Sequence, residues 1–279
     1  MLTKIDLIVD QKTKRVIAKD ANNQIVINDL GVKDAAGKPI PLPSGYTALR
    51  PDSAVERVVR RYRDLSAPLT DMVVGRISGP LDRKTNQAGE STLGAVIADA
   101  LLAGTSDASY GARPSQIAFI NRGGLRGDLN SSLDVTFGNL FNVLPFNDNL
   151  ISMDLTGRQL LRFLEQQWES PQPAGGRVMS VSAGFSYAWD ANMPEHEPPG
   201  AGRRVVPGSM KLGDVPIEMD GVYRVTVNNF MATSGDNFSV LKHGSNKQMG
   251  EIDLVVAKQY FKANGVVNAP ALNRISRLN

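Results

Sequence analysis

Three loop segments carry the residues whose types and spacing could do chemistry. The first, Asn121-Arg122-Gly123-Gly124-Leu125-Arg126-Gly127-Asp128, directly follows a short apolar run. Its glycines let backbone N–H groups approach a ligand, and an arginine can fork onto an anion. The same pattern also suits a tight turn with a solvated arginine. The second, Leu144-Pro145-Phe146-Asn147-Asp148-Asn149, sets an aromatic ring beside three polar residues just before a strand pattern. A ring there is either a core plug or a platform for a ligand. The third, residues 228–238, follows another strand pattern, and its small residues Ala232, Ser234 and Gly235 describe a tight loop that presents Phe230 and Asp236.

Composition excludes several other chemistries. The 279 residues include no cysteine and two histidines, His196 and His243. Thiolate nucleophiles and Cys-type metal sites are therefore ruled out. A hydrolytic di-metal centre draws on several His and Asp ligands, and a Ser-His-Asp triad needs a positioned His. Neither histidine stands in an H-E-x-x-H or D-x-H spacing, and no G-x-S-x-G occurs. His196 lies between Glu195 and Glu197 in a Pro-rich stretch that reads as a solvated loop. No catalytic residue and no metal ligand are expected in this chain. The net charge is +3 with scattered basic residues, and the densest patch, Arg57, Arg60, Arg61 and Arg63, reads as a solvated helix face rather than a nucleic-acid surface. No run approaches the roughly 18 apolar residues of a membrane span, and no apolar h-region follows Lys4 to make a signal peptide.

The elements that must position the loops are mixed. Alternation at Ile5, Leu7 and Val9, then Val16-Ile17 and Ile25-Val26-Ile27, predicts short strands, and residues 37–45 a Pro/Gly-rich linker. Ser53 and Glu56 form a capping box for a helix that buries Val55, Val58, Val59 and Tyr62. A strand at 72–74, a helix from Ser91, a buried strand at 117–120, a short helix at 137–143 and a strand at 149–155 follow. Thr156 and Gln159 cap a helix that carries Leu160, Leu161, Phe163, Leu164 and Trp168. Strands at 178–182, 184–189 and 222–227 come next, then a final helix at about 251–263 and an irregular tail. Helices that alternate with strands and hairpin-like pairs predict an α+β fold, a mixed sheet with helices packed on it.

Taken together the loops resemble the C-terminal domain of the 5′-nucleotidase family, with its UDP-sugar hydrolase and 2′,3′-cyclic phosphodiesterase relatives. That domain carries N-x-G-G-x-R, then P-F-G-N-x-L, then F-x-A-x-G-G-D, and residues 121–126, 145–150 and 230–236 match in that order. Leu155-Thr156-Gly157, Val181-Ser182-Ala183-Gly184-Phe185 and residues 94–98 also look like the family. The resemblance implies that a nucleotide or nucleoside is bound with its base between Phe146 and Phe230. It implies further that Asp236 holds the ribose hydroxyls, Arg126 lies on the phosphate side, and Asn121, Asp148 and Gly184 complete the substrate-binding set. Residues 1–50 would then be the end of a metallophosphatase domain with a linker, and 51–279 the nucleotide-binding domain. The catalytic centre, with two divalent metal ions, would lie in an N-terminal metallophosphatase domain absent from this sequence, and the protein would be periplasmic or extracellular. A stand-alone noncatalytic nucleotide-binding module is the alternative, and a sulfur-conjugate hydrolase is disfavoured by the paired Phe rings. Four residues at three places depart from the pattern. Asn147-Asp148 replaces Gly-Asn, Ser234 replaces the first Gly of G-G-D (a mild change where φ is below zero), and Gln87 stands where a second phosphate arginine is expected, with Arg83 nearby.

Overall fold

A computed structural model describes residues 2–27, 38–42, 44–46, 48–106, 113–130 and 132–279; Gly37 and Pro43 of the expected linker lie outside them. The chain divides into two units, residues 1–66 and 67–279. In the first, β1 (Leu2–Val9) and β2 (Val16–Gln24) form an antiparallel hairpin. Asp10 shapes its turn by accepting hydrogen bonds from the Lys12 and Thr13 N–H groups at 3.0 and 2.6 Å. The strand expected at Ile25, Val26 and Ile27 does not form; the Ile27 carbonyl accepts from the Leu49 N–H at 2.7 Å instead.

Helix α1 (Ser53–Thr70) departs from expectation twice. Its cap is Asp52, whose Oδ1 accepts from the Ala54 and Val55 N–H groups at 2.8 and 3.0 Å, while Glu56 pairs with Arg60 one turn on. A carboxylate at the N-cap satisfies two orphan donors and favours the positive end of the helix dipole, so it displaces the Ser53 box. Val55, Val58, Val59 and Tyr62 form the predicted stripe but are exposed. Periodicity shows that a face is apolar; burial also needs a partner, which the pattern does not specify.

In the second unit the chain forms β3 (Val73–Ile77), α2 (Thr92–Ala103), β4 (Ile117–Ile120), β5 (Asp134–Thr136) and α3 (Phe137–Val143). Next come β6 (Asn149–Thr156), α4 (Gly157–Glu165), β7 (Ser180–Val181), β8 (Phe185–Asp190), β9 (Lys211–Leu212) and β10 (Val215–Pro216). The remainder is β11 (Val222–Asn228), α5 (Asn229–Ala232), β12 (Ser245–Ile252), α6 (Asp253–Asn264), β13 (Val266–Val267) and β14 (Ile275–Leu278). The central sheet has the order β12-β6-β11-β4-β7, and β10-β9-β8-β14 and β13-β3-β5 flank it. Only the β11–β4 pair of the central sheet is parallel, so the sheet is mixed and the fold is α+β, as predicted.

Strand β4 is buried on both faces, and its alternation feeds two cores. Ile117 and Phe119 join Met153, Val225 and Val227 with Leu160, Phe163 and Leu164 of α4. Ala118 and Ile120 join Leu93, Val96, Ile97 and Leu101 of α2 with Leu254, Ala257 and Phe261 of α6. The Thr156–Gln159 capping box is present at α4, but that helix ends before Trp168. The tail is not irregular: β13 pairs with β3 and β14 with β8. Among the described residues no helix is long and apolar enough to cross a membrane.

One buried acid sets a pH dependence. Asp253 opens α6 at 2% exposure, and burial, with the nearby Asp148 charge adding to it, pushes its carboxyl up to about 7. A folded pKa above the unfolded value means that the folded state loses stability as pH rises from about 4 to about 7 and is flat above. Urea denaturation should show Asp253→Asn losing less stability than the parent chain across that window, so that the variant gains most at pH 8. An equal offset at pH 4.5 and pH 8 would contradict this.

Candidate functional site

Strand direction collects the loops. Val225 of β11 pairs with Ile117 of β4 in parallel, so both strands finish at the same end of the sheet. Antiparallel β6 sets Leu150 opposite Asn228 and so begins at that end. Antiparallel β7 sets Ser180 opposite Ile120, and the segment leading into it arrives there too. Four segments distant in sequence therefore meet where β4 and β11 terminate.

Hydrogen bonds then tie the segments together. Asn121, 4% exposed, donates from Nδ2 to Asp236 Oδ2 at 2.8 Å and accepts at Oδ1 from Asn228 Nδ2 at 3.2 Å. Asn228 in turn caps α5, its Oδ1 accepting from the Met231 N–H at 2.9 Å. Arg177, in the segment before β7, donates from Nη1 to Asp236 Oδ1 at 2.9 Å. Gln172 Nε2 donates to the Asp236 carbonyl at 2.7 Å. Both oxygens of Asp236 are thus oriented by donors, and each keeps a further acceptor position.

The loop after α5 turns back through left-handed backbone at Ser234 (φ 77), Asp236 (φ 54) and Asn237 (φ 67). Ser234 therefore does not keep φ below zero. Its hydroxyl is also buried without a partner. Gly235 is required by close approach, since a Cβ there would lie 2.4 Å from Cδ1 of the Phe230 ring. Before β6, Asn147 takes φ 52, a conformation that asparagine tolerates best after glycine.

Asn121, Arg126, Phe146, Asp148, Phe230 and Asp236 all line one cavity of about 430 Å³, together with Arg177 and Asn228. Phe146 and Phe230 are 55% and 45% exposed. The Arg126 guanidinium lies 5.9 Å from the Phe146 ring centre, and among the described residues neither ring contacts another aromatic ring. Gly184 is not brought in. It lies in the turn before β8 at φ 89, its carbonyl accepting from the Gly213 N–H. Arg177 carries no mark in the sequence; its place depends on the β7–β4 register, which no local pattern reveals.

A larger cavity of about 1010 Å³ shares Asn121, Arg126, Arg177 and Asp236 and continues past Arg83, Lys84, Gln87, Arg122 and Arg277. Seven basic side chains and four carboxylates line it. Arg83 donates from Nε to Asp128 Oδ1 at 3.1 Å and from Nη1 to the Leu125 carbonyl at 3.2 Å, which fastens the loop after β4. Burial works to raise the Asp128 carboxyl, but the hydrogen bonds and charge of Arg83 outweigh it and hold it below the ordinary range. Neither His196 nor His243 lines either cavity. Among the described residues no group of three His, Cys, Asp or Glu could hold a metal ion, so these residues do not fit a two-metal centre.

The family described as 5′-nucleotidase, C-terminal domain, matches residues 73–243, more than half of the chain. The chain belongs to this family. All four segments of the smaller cavity fall inside the matched region of the 5′-nucleotidase C-terminal domain. Endonuclease YhcR of Bacillus subtilis (strain 168) is 28% identical over 262 residues, covering 93% of this chain and 18% of that protein. Trifunctional nucleotide phosphoesterase protein YfkN of the same organism is 36% identical over 180 residues, covering 63% of this chain and 12% of that protein. A 5′-nucleotidase precursor from Thermus thermophilus superposes with a TM-score of 0.68 at 29% identity, over 99% of this chain and 50% of that one. The chain spans about half the length of that solved relative and under a fifth of the two curated ones.

The Asp236 loop makes two opposite stability predictions. Ser234→Gly relieves a left-handed serine and removes an unpartnered hydroxyl, and should stabilise by up to about 1 kcal/mol. Gly235→Ala drives a methyl group into Phe230 and should destabilise by roughly 1–3 kcal/mol. Urea denaturation measures both, and a stabilising Gly235→Ala would contradict the close approach.

Proposed function

We propose that the chain is the nucleotide-binding part of a metal-dependent phosphohydrolase. In this reading the base stacks between Phe146 and Phe230, the ribose diol meets Asp236, and the phosphate side faces Arg126. The observation that carries it is the pair of half-exposed phenyl rings, delivered by two different loops to one cavity with an oriented carboxylate and an arginine. Half-exposed rings that contact no other aromatic ring among the described residues suit a planar base, and each stack is worth roughly 1–3 kcal/mol. A carboxylate that already holds two donors keeps lone pairs for two vicinal hydroxyls. A guanidinium with no carboxylate partner suits phosphate oxygens. The similarity to YfkN, named a nucleotide phosphoesterase, supports the same direction.

The ligand count supports a division of labour between domains. A two-metal clamp needs clustered His and acidic ligands, and the described residues supply none. In this proposal the metals belong to an N-terminal metallophosphatase domain, and the protein acts outside the cytoplasm, periplasmic or extracellular, as the family resemblance implies.

Titration calorimetry on the chain with adenosine, guanosine and their 5′-monophosphates tests the reading. Binding should be in the micromolar to millimolar range, since the cavity is open and its rings must order. Phe230→Ala should lose roughly 1–3 kcal/mol, and Arg126→Ala should weaken the monophosphates more than the nucleosides. With added Mn²⁺ or Zn²⁺ the chain should hydrolyse neither monophosphate. Nucleoside binding unchanged in Phe230→Ala would overturn the base site, and metal-dependent turnover by the chain would overturn the division of labour.

A further inference from the structure

Resting on the nucleotide reading above, we propose that this cavity selects guanine, with the Asp148 carboxylate accepting from the N1–H and exocyclic N2–H groups of the base. Among the polar side chains that line the cavity, most are already committed. Asn121 bonds Asp236 and Asn228, Asn228 also caps α5, and Arg177 is paired with Asp236. Two are not. Among the described residues Arg126 has no carboxylate partner, and the Asp148 carboxylate has neither a hydrogen bond nor an ion pair, although it is half-buried. One uncommitted fork of donors and one uncommitted pair of acceptors therefore remain, and with the phosphate assigned to Arg126 the acceptors are left to read the base.

The position of Asp148 is fixed by its backbone. Its carbonyl accepts from the Asp253 N–H at 2.9 Å, and Asn149 pairs with Ile252 across β6 and β12. Asn149 Nδ2 also donates to the Gly250 carbonyl at 3.0 Å. The left-handed turn at Asn147 separates Asp148 from the Phe146 ring by a single residue. The carboxylate is thus presented beside a stacking platform from a pinned strand end. Burial raises this carboxyl above its ordinary range, the condition of an acceptor short of donors.

An ionised carboxylate only accepts, through two oxygens side by side. It complements an edge with two adjacent donors, and guanine alone among the common bases has one, at N1–H and N2–H. Adenine and cytosine each set a ring acceptor beside an amino donor, and uracil flanks its single N–H with two carbonyls. Each of these leaves an oxygen of Asp148 facing a lone pair or unpaired, and a site built around a hydrogen bond rejects partners that lack it.

Calorimetry at pH 7.5 on the chain with guanosine, inosine and adenosine decides it. Guanosine should bind roughly 10- to 100-fold tighter than adenosine, the worth of hydrogen bonds to a charged group. Inosine, which keeps N1–H and lacks the amino group, should fall between. Asp148→Asn offers an amide that complements adenine and should abolish or reverse the guanosine preference, its adenosine binding serving as the control that it is folded; Asp148→Ser should lose the preference as well. Equal affinities in the parent chain, or a guanosine preference that survives both substitutions, would overturn guanine selection and leave the nucleotide site standing. Failure of every nucleoside to bind would overturn both.

Discussion

The parallel pairing of β4 with β11 is the constraint on which the site depends. With Val225 opposite Ile117, the loops that follow the two strands leave the sheet at one end, and the antiparallel neighbours β6 and β7 enter there. That pairing brings the segments carrying Phe146, Arg177, Asn121 and Asp236 to one end of the sheet. The pairing is itself held by burial: Ile117 and Phe119 pack on α4 and Ala118 and Ile120 on α2, so a slip of one residue would exchange the two cores.

Within that frame the electrostatics are ordered from the centre outward. The Asn228–Asn121–Asp236 chain and the Arg177–Asp236 ion pair immobilise an acid in left-handed backbone. Local strain of this kind persists where surrounding bonds over-determine it, and such positions gather at functional sites. Outside this chain of bonds lie the Asp148 carboxylate and the Arg126 guanidinium, which have no ion-pair partner among the described residues, together with two half-exposed phenyl rings. In the proposed reading these groups meet a bound nucleotide.

Much of this is legible in the sequence because it is written in local chemistry. Glycines and an arginine mark the loop at 121–128, and Phe beside small and acidic residues marks the loops around Phe146 and Phe230. The capping box at Thr156 and the wholly apolar run at 117–120 announce α4 and β4. What escapes needs tertiary information. Strand β12, Ser-Asn-Lys-Gln-Met-Gly-Glu-Ile at residues 245–252, is an edge strand with little alternation, so its pairing with β6 leaves almost no mark. Arg177 enters the site through a two-residue strand, and Gly184 departs from it because its turn faces Gly213. The stripe on α1 is apolar, as its spacing says, yet exposed, because periodicity carries no information about a partner.

In the proposed reading the end of the sheet where β4 and β11 terminate is a nucleotide site. A crystal structure of the chain with a purine nucleoside 5′-monophosphate tests it most directly. The base should lie between Phe146 and Phe230, with the ribose hydroxyls on Asp236 and the phosphate on the side of Arg126. A nucleotide held elsewhere on the chain, with both rings uninvolved, would contradict the account.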